Sequence, residues 1–136
     1  MTDKTKAEFY ISAYTPVQVQ LTEQNTDARV TFDFEKGRMK AIINFPEEPE
    51  HYEIVENHVQ LHLYFLPKSQ QVVVVLLEKI KEKEDPTMQI WGFDSIPTAF
   101  NQLGATPYLI PDPAVRKAFK KLMKLFRQIA KRIGLI

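Results

Sequence analysis

Two alternating segments on either side of a two-residue turn constrain the fold of this chain more than any other feature. Residues 28–35 and 38–45 alternate apolar and polar side chains around Lys36-Gly37, and a period of two is typical of half-buried strands. A two-residue loop here predicts a hairpin with one register, because opposite charges then meet on one face and apolar groups on the other. The pairs are Glu35–Arg38, Asp33–Lys40, Phe34–Met39, Phe32–Ala41 and Val30–Ile43.

Similar alternation predicts strands through most of the first two thirds of the chain. The run QQVVVVLL at 70–77 differs, because it is apolar on both faces and therefore predicts a strand that is covered on both sides. A turn is expected at Thr15-Pro16 and a loop at PEEPE, residues 46–50. Beyond the hairpin, we expect strands at 8–14, 17–22, 52–55, 59–66, 70–77 and 88–91.

Two helices are expected after the strands. Ser95 is a suitable N-cap for a short helix over 96–103. Asp112-Pro113 supplies an N-cap and a first-turn proline for a longer helix over 114–133, and Gly134 marks its end.

This order of elements predicts an α+β fold. We expect an antiparallel, mostly meandering sheet of about seven or eight strands, with a barrel or a half-barrel as open alternatives, then a short helix and a long C-terminal amphipathic basic helix. With 136 residues and 44% hydrophobic side chains, the chain has the size and composition of a single domain, 1–136. Its expected parts are a β-rich acidic body (1–93) and a helical part (94–136).

Composition excludes several classes of site. The chain has no cysteine, which excludes disulfides, thiolate zinc sites, iron–sulfur clusters and a cysteine nucleophile. The first residues, MTDKTK, lack the apolar stretch of a secretory signal. The longest apolar run, 72–77, is too short to span a bilayer. We therefore expect a cytoplasmic protein.

Charge is divided unevenly along the chain, although the net charge at pH 7 is only +1. Residues 1–113 hold ten of the 18 Lys and Arg residues and all 17 Asp and Glu residues, a net charge of −7. Residues 114–136 hold the other eight cations and no acid. Such an asymmetry indicates an interaction partner.

The helix expected at 114–133 separates its cations from its apolar side chains, which fall on opposite sides at about 100° per residue. Met123 and Leu125 flank the apolar side. The apolar stripe consists of Val115, Ala118, Phe119, Leu122, Phe126, Ile129, Ala130 and Ile133. The basic face, our candidate nucleic-acid-binding surface, consists of Arg116, Lys117, Lys120, Lys121, Lys124, Arg127, Lys131 and Arg132.

The apolar stripe needs a surface that covers it, since burying its side chains at roughly 1.5–3 kcal/mol each decides where the helix lies. The protein's own sheet, a partner protein or an anionic membrane surface could receive it. We favour the protein's own sheet, because the alternating strands offer an apolar face that needs cover. The basic face then points outward.

An outward face of contiguous cations without acids is typical of a polyanion-binding surface, most often one for nucleic acid. We therefore predict a non-enzymatic nucleic-acid-binding or ribonucleoprotein accessory subunit that contacts the phosphate backbone of RNA or DNA. The purely structural alternative is a solvated face that the acidic body partly neutralises. Two other functions stay open: a protein-interaction adaptor whose C-terminal helix docks on a partner, and a peripheral protein of the membrane surface.

The segment HVQLH places His58 and His62 at the spacing of a metal-binding helix, but Val59 stands where a zinc-protease motif has glutamate. In a strand the two imidazoles lie about 13 Å apart, too far to share one ion. No metal site is predicted, and both side chains are expected in solvent.

No other constellation predicts chemistry. Asp33 and Glu35 share a strand face, but their cross-strand cations explain them as ion pairs. No nucleophile motif or phosphate-cradling glycine loop occurs, so we predict no enzymatic activity and no cofactor. Three tyrosines on polar strand faces are weaker candidates for stacking on unpaired bases: Tyr10, Tyr14 and Tyr64.

Overall fold

The computed structural model describes residues 4–12, 15–22, 25–79, 86–105 and 111–136. Within these ranges the chain forms eight strands and then two helices, which confirms the α+β fold class. The strands are β1 (Lys6–Ser12), β2 (Val17–Gln20), β3 (Arg29–Glu35), β4 (Arg38–Asn44), β5 (Glu50–Glu56), β6 (Val59–Phe65), β7 (Val72–Glu78) and β8 (Thr87–Phe93). The helices are α1 (Ile96–Leu103) and α2 (Pro113–Arg132).

The hairpin formed by β3 and β4 has the predicted register, with all five predicted pairs as antiparallel partners. Lys36 and Gly37 have φ angles of 34° and 81°. Positive φ at both central residues is the geometry of a type I′ turn, whose twist matches that of the strands it joins.

The strands are divided between two sheets, where the sequence predicts one meander. The smaller sheet has the order β1-β4-β3, and the larger has the order β2-β8-β7-β6-β5. Strands β5 to β8 form an antiparallel meander, whereas β2 pairs in parallel with β8. Thr15-Pro16 therefore connects strands of different sheets. Local alternation cannot predict which sheet a strand joins, because β1 pairs with β4, which lies far along the chain.

Three layers result: the three-stranded sheet, the five-stranded sheet and the two helices. The core between the sheets includes Ile11, Ala41, Ile43, Val73, Val75 and Ile90. The core between the larger sheet and the helices includes Leu61, Val74, Leu76, Phe119, Leu122 and Phe126. Successive residues of β7 enter different cores, which confirms that the apolar run is covered on both sides.

Helix α2 packs its apolar stripe on β5, β6 and α1, so the protein's own sheet covers the stripe as expected. Seven of the eight stripe residues are buried and Ile133 is half-buried. The predicted caps are confirmed. Asp112 Oδ1 accepts a hydrogen bond from the backbone N–H of Ala114 at 2.9 Å, and Ser95 Oγ accepts one from that of Thr98 at 3.3 Å.

One face of β6 differs from its sequence pattern, which predicts a polar side facing solvent. His62 and Tyr64 are only 7% and 5% exposed, so the expectation that His62 lies in solvent is wrong. The three-stranded sheet covers this side of β6, and the ring of Phe9 lies 5.2 Å from that of His62 between centroids. The cover leaves no signal in β6, because this face carries His62 and Tyr64, whereas both faces of β7 carry aliphatic side chains.

Candidate nucleic-acid interface

All eight cations of the basic face lie on the outer side of α2 and are exposed. Because the opposite side of the helix is buried, the backbone positions that carry the cations are fixed relative to one another. Lys131 and Arg132 lie in the last turn of the helix, where the helix dipole favours positive charge. The whole basic face is therefore exposed to solvent, on a helix that is packed against the sheet.

Three of these cations are partly neutralised by acids at the two ends of β5. Glu56 Oε2 lies 3.9 Å from Lys117 Nζ, and the same carboxylate pairs with Lys121. The hydrogen bond from Lys121 lowers the pKa of Glu56. Glu50 accepts a hydrogen bond from the Arg132 guanidinium. These cations have acidic neighbours with which an incoming phosphate must compete.

The other five cations have no ion pair with any acid in the described part of the chain. Among the described residues, no carboxylate has to be displaced before a phosphate can approach them. They are Arg116, Lys120, Lys124, Arg127 and Lys131.

Three of the five line a groove between α1 and α2, which we call the basic groove. Lys120, Lys124 and Arg127 come from α2, and Phe100 and Asn101 come from α1. The groove has a volume of about 540 Å³. A concave surface lined by cations focuses the positive potential more strongly than a convex helix face does.

Phe100 and Asn101 are the residues of this site that the sequence does not reveal. The Arg127 guanidinium lies over the Phe100 ring, 5.4 Å from its centroid, within the distance of a cation–π contact. The contact joins α1 to the basic face. No motif marks these two residues, and only the packing of α1 beside α2 brings them to the cations.

The side chains of the groove have the donors that bind an anion. Ammonium and guanidinium groups donate hydrogen bonds to phosphate oxygens, the Asn101 amide both donates and accepts, and the Phe100 ring offers an apolar face. The described lining contains no carboxylate and no imidazole. The arrangement is therefore suited to holding phosphate groups.

The tyrosines offer a weaker second surface, and they do not act together. Tyr10 is 69% exposed on β1, with Lys40 Nζ 5.9 Å from its ring centroid. Tyr64 is buried between the sheets, so its ring is not accessible to a base. Tyr14 lies outside the described residues.

The two histidines of HVQLH lie in different environments. His58 is in the turn between β5 and β6, where its Nε2 lies 2.6 Å from Asp112 Oδ2. His62 Nδ1 lies 2.9 Å from His51 Nε2, and the two rings are stacked. Burial lowers the pKa of both His51 and His62.

Comparisons of the chain with protein-family models, with curated proteins and with solved structures gave no match. Neither helix of the described ranges has the length and apolar composition that crossing a bilayer requires. The function is therefore inferred from the geometry and charge of the basic face.

Proposed function

We propose that this protein is a non-enzymatic nucleic-acid-binding subunit, of the kind that accompanies RNA or DNA in a larger complex. The observation that carries the proposal is the group of five cations on α2 that lack acidic partners among the described residues, three of them in the basic groove. These side chains contact the phosphate backbone, which supplies affinity and carries no sequence information.

The docking of α2 supports this function over the two alternatives. An adaptor or a membrane-surface protein that used the apolar stripe of α2 would need that stripe free, and its residues are buried against β5, β6 and α1. A partner that meets α2 in this arrangement meets cations. Contiguous cations favour a polyanionic partner, and nucleic acid is the polyanion that such a face most often binds.

The test is a fluorescence-anisotropy titration of the full chain against short labelled RNA and DNA, single-stranded and duplex. Three phosphate contacts predict a log–log salt slope of about −2.7 on duplex DNA, which weakens binding roughly 40-fold between about 50 and 200 mM salt. Additional contacts from Arg116 and Lys131 would steepen the slope further.

Polyglutamate serves as the control for general attraction to polyanions. The proposal predicts that unlabelled polyglutamate competes much less well than nucleic acid of the same charge. Equal competition would favour an acidic protein partner instead. No binding of any nucleic acid at the lower salt concentration would reject the proposal.

A further inference from the structure

Three side chains with metal-ligating atoms meet at the N-terminal end of α2, away from the basic groove. His58 comes from the turn between β5 and β6, Glu78 from the last position of β7, and Asp112 from the N-cap of α2. One ligand atom from each lies within 4.8 Å of the other two. These residues are distant in sequence, so only the folded chain assembles them.

The cluster places two carboxyl groups side by side at a partly buried position. Asp112 is already engaged, because Oδ1 accepts from the Ala114 N–H and Oδ2 lies against His58 Nε2. Glu78 brings its carboxylate to the same point, within 4.8 Å of the ligand atoms of Asp112 and His58. Two neighbouring carboxylates repel each other, and a cation bound between them would relieve that repulsion.

We propose that His58, Glu78 and Asp112 bind a divalent cation of the zinc class. Imidazole nitrogen together with carboxylate oxygen is a ligand set that suits Zn²⁺, whereas Mg²⁺ and Ca²⁺ prefer oxygen alone. Three protein ligands leave at least one coordination position to water.

The distances require only a small adjustment of the side chains. Zinc holds nitrogen and oxygen ligands at about 2.0–2.2 Å, so two ligand atoms of a tetrahedral site lie roughly 3.3–3.6 Å apart. The 2.6 Å contact from His58 to Asp112 must open by under about 1 Å, and no separation in the cluster has to close by more than about 1.5 Å.

A bound ion would add a further link between the turn from β5 to β6, the end of β7 and the N-cap of α2. The turn between β5 and β6 is already tied to the end of β7, because the Lys79 N–H donates to the His58 carbonyl at 3.0 Å. The contact from His58 to Asp112 already ties the same turn to the N-cap of α2, and the ion would bring the Glu78 side chain into this junction. Binding to the folded chain alone raises its stability by mass action.

The test is isothermal titration of the full chain with Zn²⁺ at neutral pH, with Mg²⁺ in parallel, together with melting curves. We expect one Zn²⁺ per chain, a higher melting temperature and much weaker binding of Mg²⁺. Because the ligands must be deprotonated, binding should weaken as the pH falls. Absence of saturable binding at about 100 µM Zn²⁺ overturns the proposal.

Two conservative variants separate loss of the site from loss of the fold. Asp112→Asn keeps a capping oxygen for the Ala114 N–H, and Glu78→Gln keeps the side-chain shape. Each should lower the affinity for Zn²⁺ at least about tenfold while circular dichroism is unchanged. The matched control is His51→Gln, which changes a histidine outside the cluster and should bind like wild type. Unchanged binding in Glu78→Gln, or loss confined to His51→Gln, contradicts the assignment.

Discussion

The guanidinium of Arg127 lies over the ring of Phe100, 5.4 Å from the ring centroid, and this contact joins the two helices at the basic groove. Arg127 remains exposed in this contact, so its N–H donors stay available to a phosphate. Lysine cannot reproduce this arrangement, because its ammonium is a point charge without a planar fork. Arg127→Lys should therefore weaken nucleic-acid binding although the net charge is unchanged, measured by anisotropy beside Lys131→Arg as the control.

Glu56 is predicted to restrain nucleic-acid binding, since it pairs with Lys117 and Lys121. Glu56→Gln removes that competing charge and should give tighter binding with a steeper salt dependence. Anisotropy titrations at several salt concentrations measure both effects. Glu53→Gln is the matched control, because it removes the same charge from the same strand. Equal gains in the two variants would show that net charge alone is responsible.

The packing of α2 on the sheet predicts a large cost for truncating its core side chains. Phe126 is fully buried in the core between the sheet and the helices. Phe126→Ala should lower the free energy of unfolding by about 3–5 kcal/mol, whereas exposed Lys124→Ala should change it by no more than about 0.5 kcal/mol. Urea denaturation measures both. If Phe126→Ala lowered the free energy of unfolding as little as Lys124→Ala does, the helix would not be packed on the sheet as described.

Gly92 marks a close approach between β8 and the segment that follows β2. A Cβ at this position would collide with Thr26 Cγ2 and Leu21 Cδ2, so Gly92→Ala should lower the free energy of unfolding by about 1–3 kcal/mol. Thr26→Ser removes the methyl group and keeps the hydroxyl that accepts from the Ala28 N–H. The double variant Gly92→Ala/Thr26→Ser should recover part of the stability that Gly92→Ala loses. If denaturation curves show that the effects of the two substitutions on the free energy of unfolding simply add, the contact is contradicted.

The paired histidines predict that stability falls in acid. Burial lowers the pKa of His51 and His62 below the usual value of about 6.5, although Glu53 opposes this. Since the folded state binds fewer protons, stability is complete above about pH 6.5 and is lost as the pH falls towards the lowered values. His62→Phe keeps an aromatic ring without a charge. Its unfolding free energy, measured by denaturation at several pH values, should depend less on pH between about 7 and 5 than that of wild type.

Local patterns predict much of this fold, and long-range pairing limits the rest. The register from Glu35–Arg38 to Val30–Ile43 could be derived because a two-residue loop leaves only one alignment of charges and apolar groups. The parallel pairing of β2 with β8 could not, because it joins strands about seventy residues apart. The burial of His62 could not be predicted for the same reason, since the sheet that covers it comes from distant segments and does not alter the local pattern of β6.

The candidate site shows the same division. Helical periodicity identifies all eight cations and the stripe behind them, because both properties belong to one continuous segment. It does not distinguish Lys121, which pairs with Glu56, from Lys124, which has no acidic partner among the described residues. That difference depends on which strand lies beside each turn of α2. Phe100 and Asn101 join the site only through the packing of α1.

The most direct test of the central claim compares two triple variants that lose the same charge. Lys120→Gln/Lys124→Gln/Arg127→Gln removes the cations of the basic groove, and Lys117→Gln/Lys121→Gln/Arg132→Gln removes those paired with β5. Anisotropy titrations on duplex DNA measure affinity and its salt dependence, with circular dichroism as the check on folding. The groove variant should lose most of the affinity and reduce the magnitude of the salt slope by about 2.7, while the paired variant changes little. Equal losses in the two variants, or none in either, would contradict the assignment of the groove as the phosphate site.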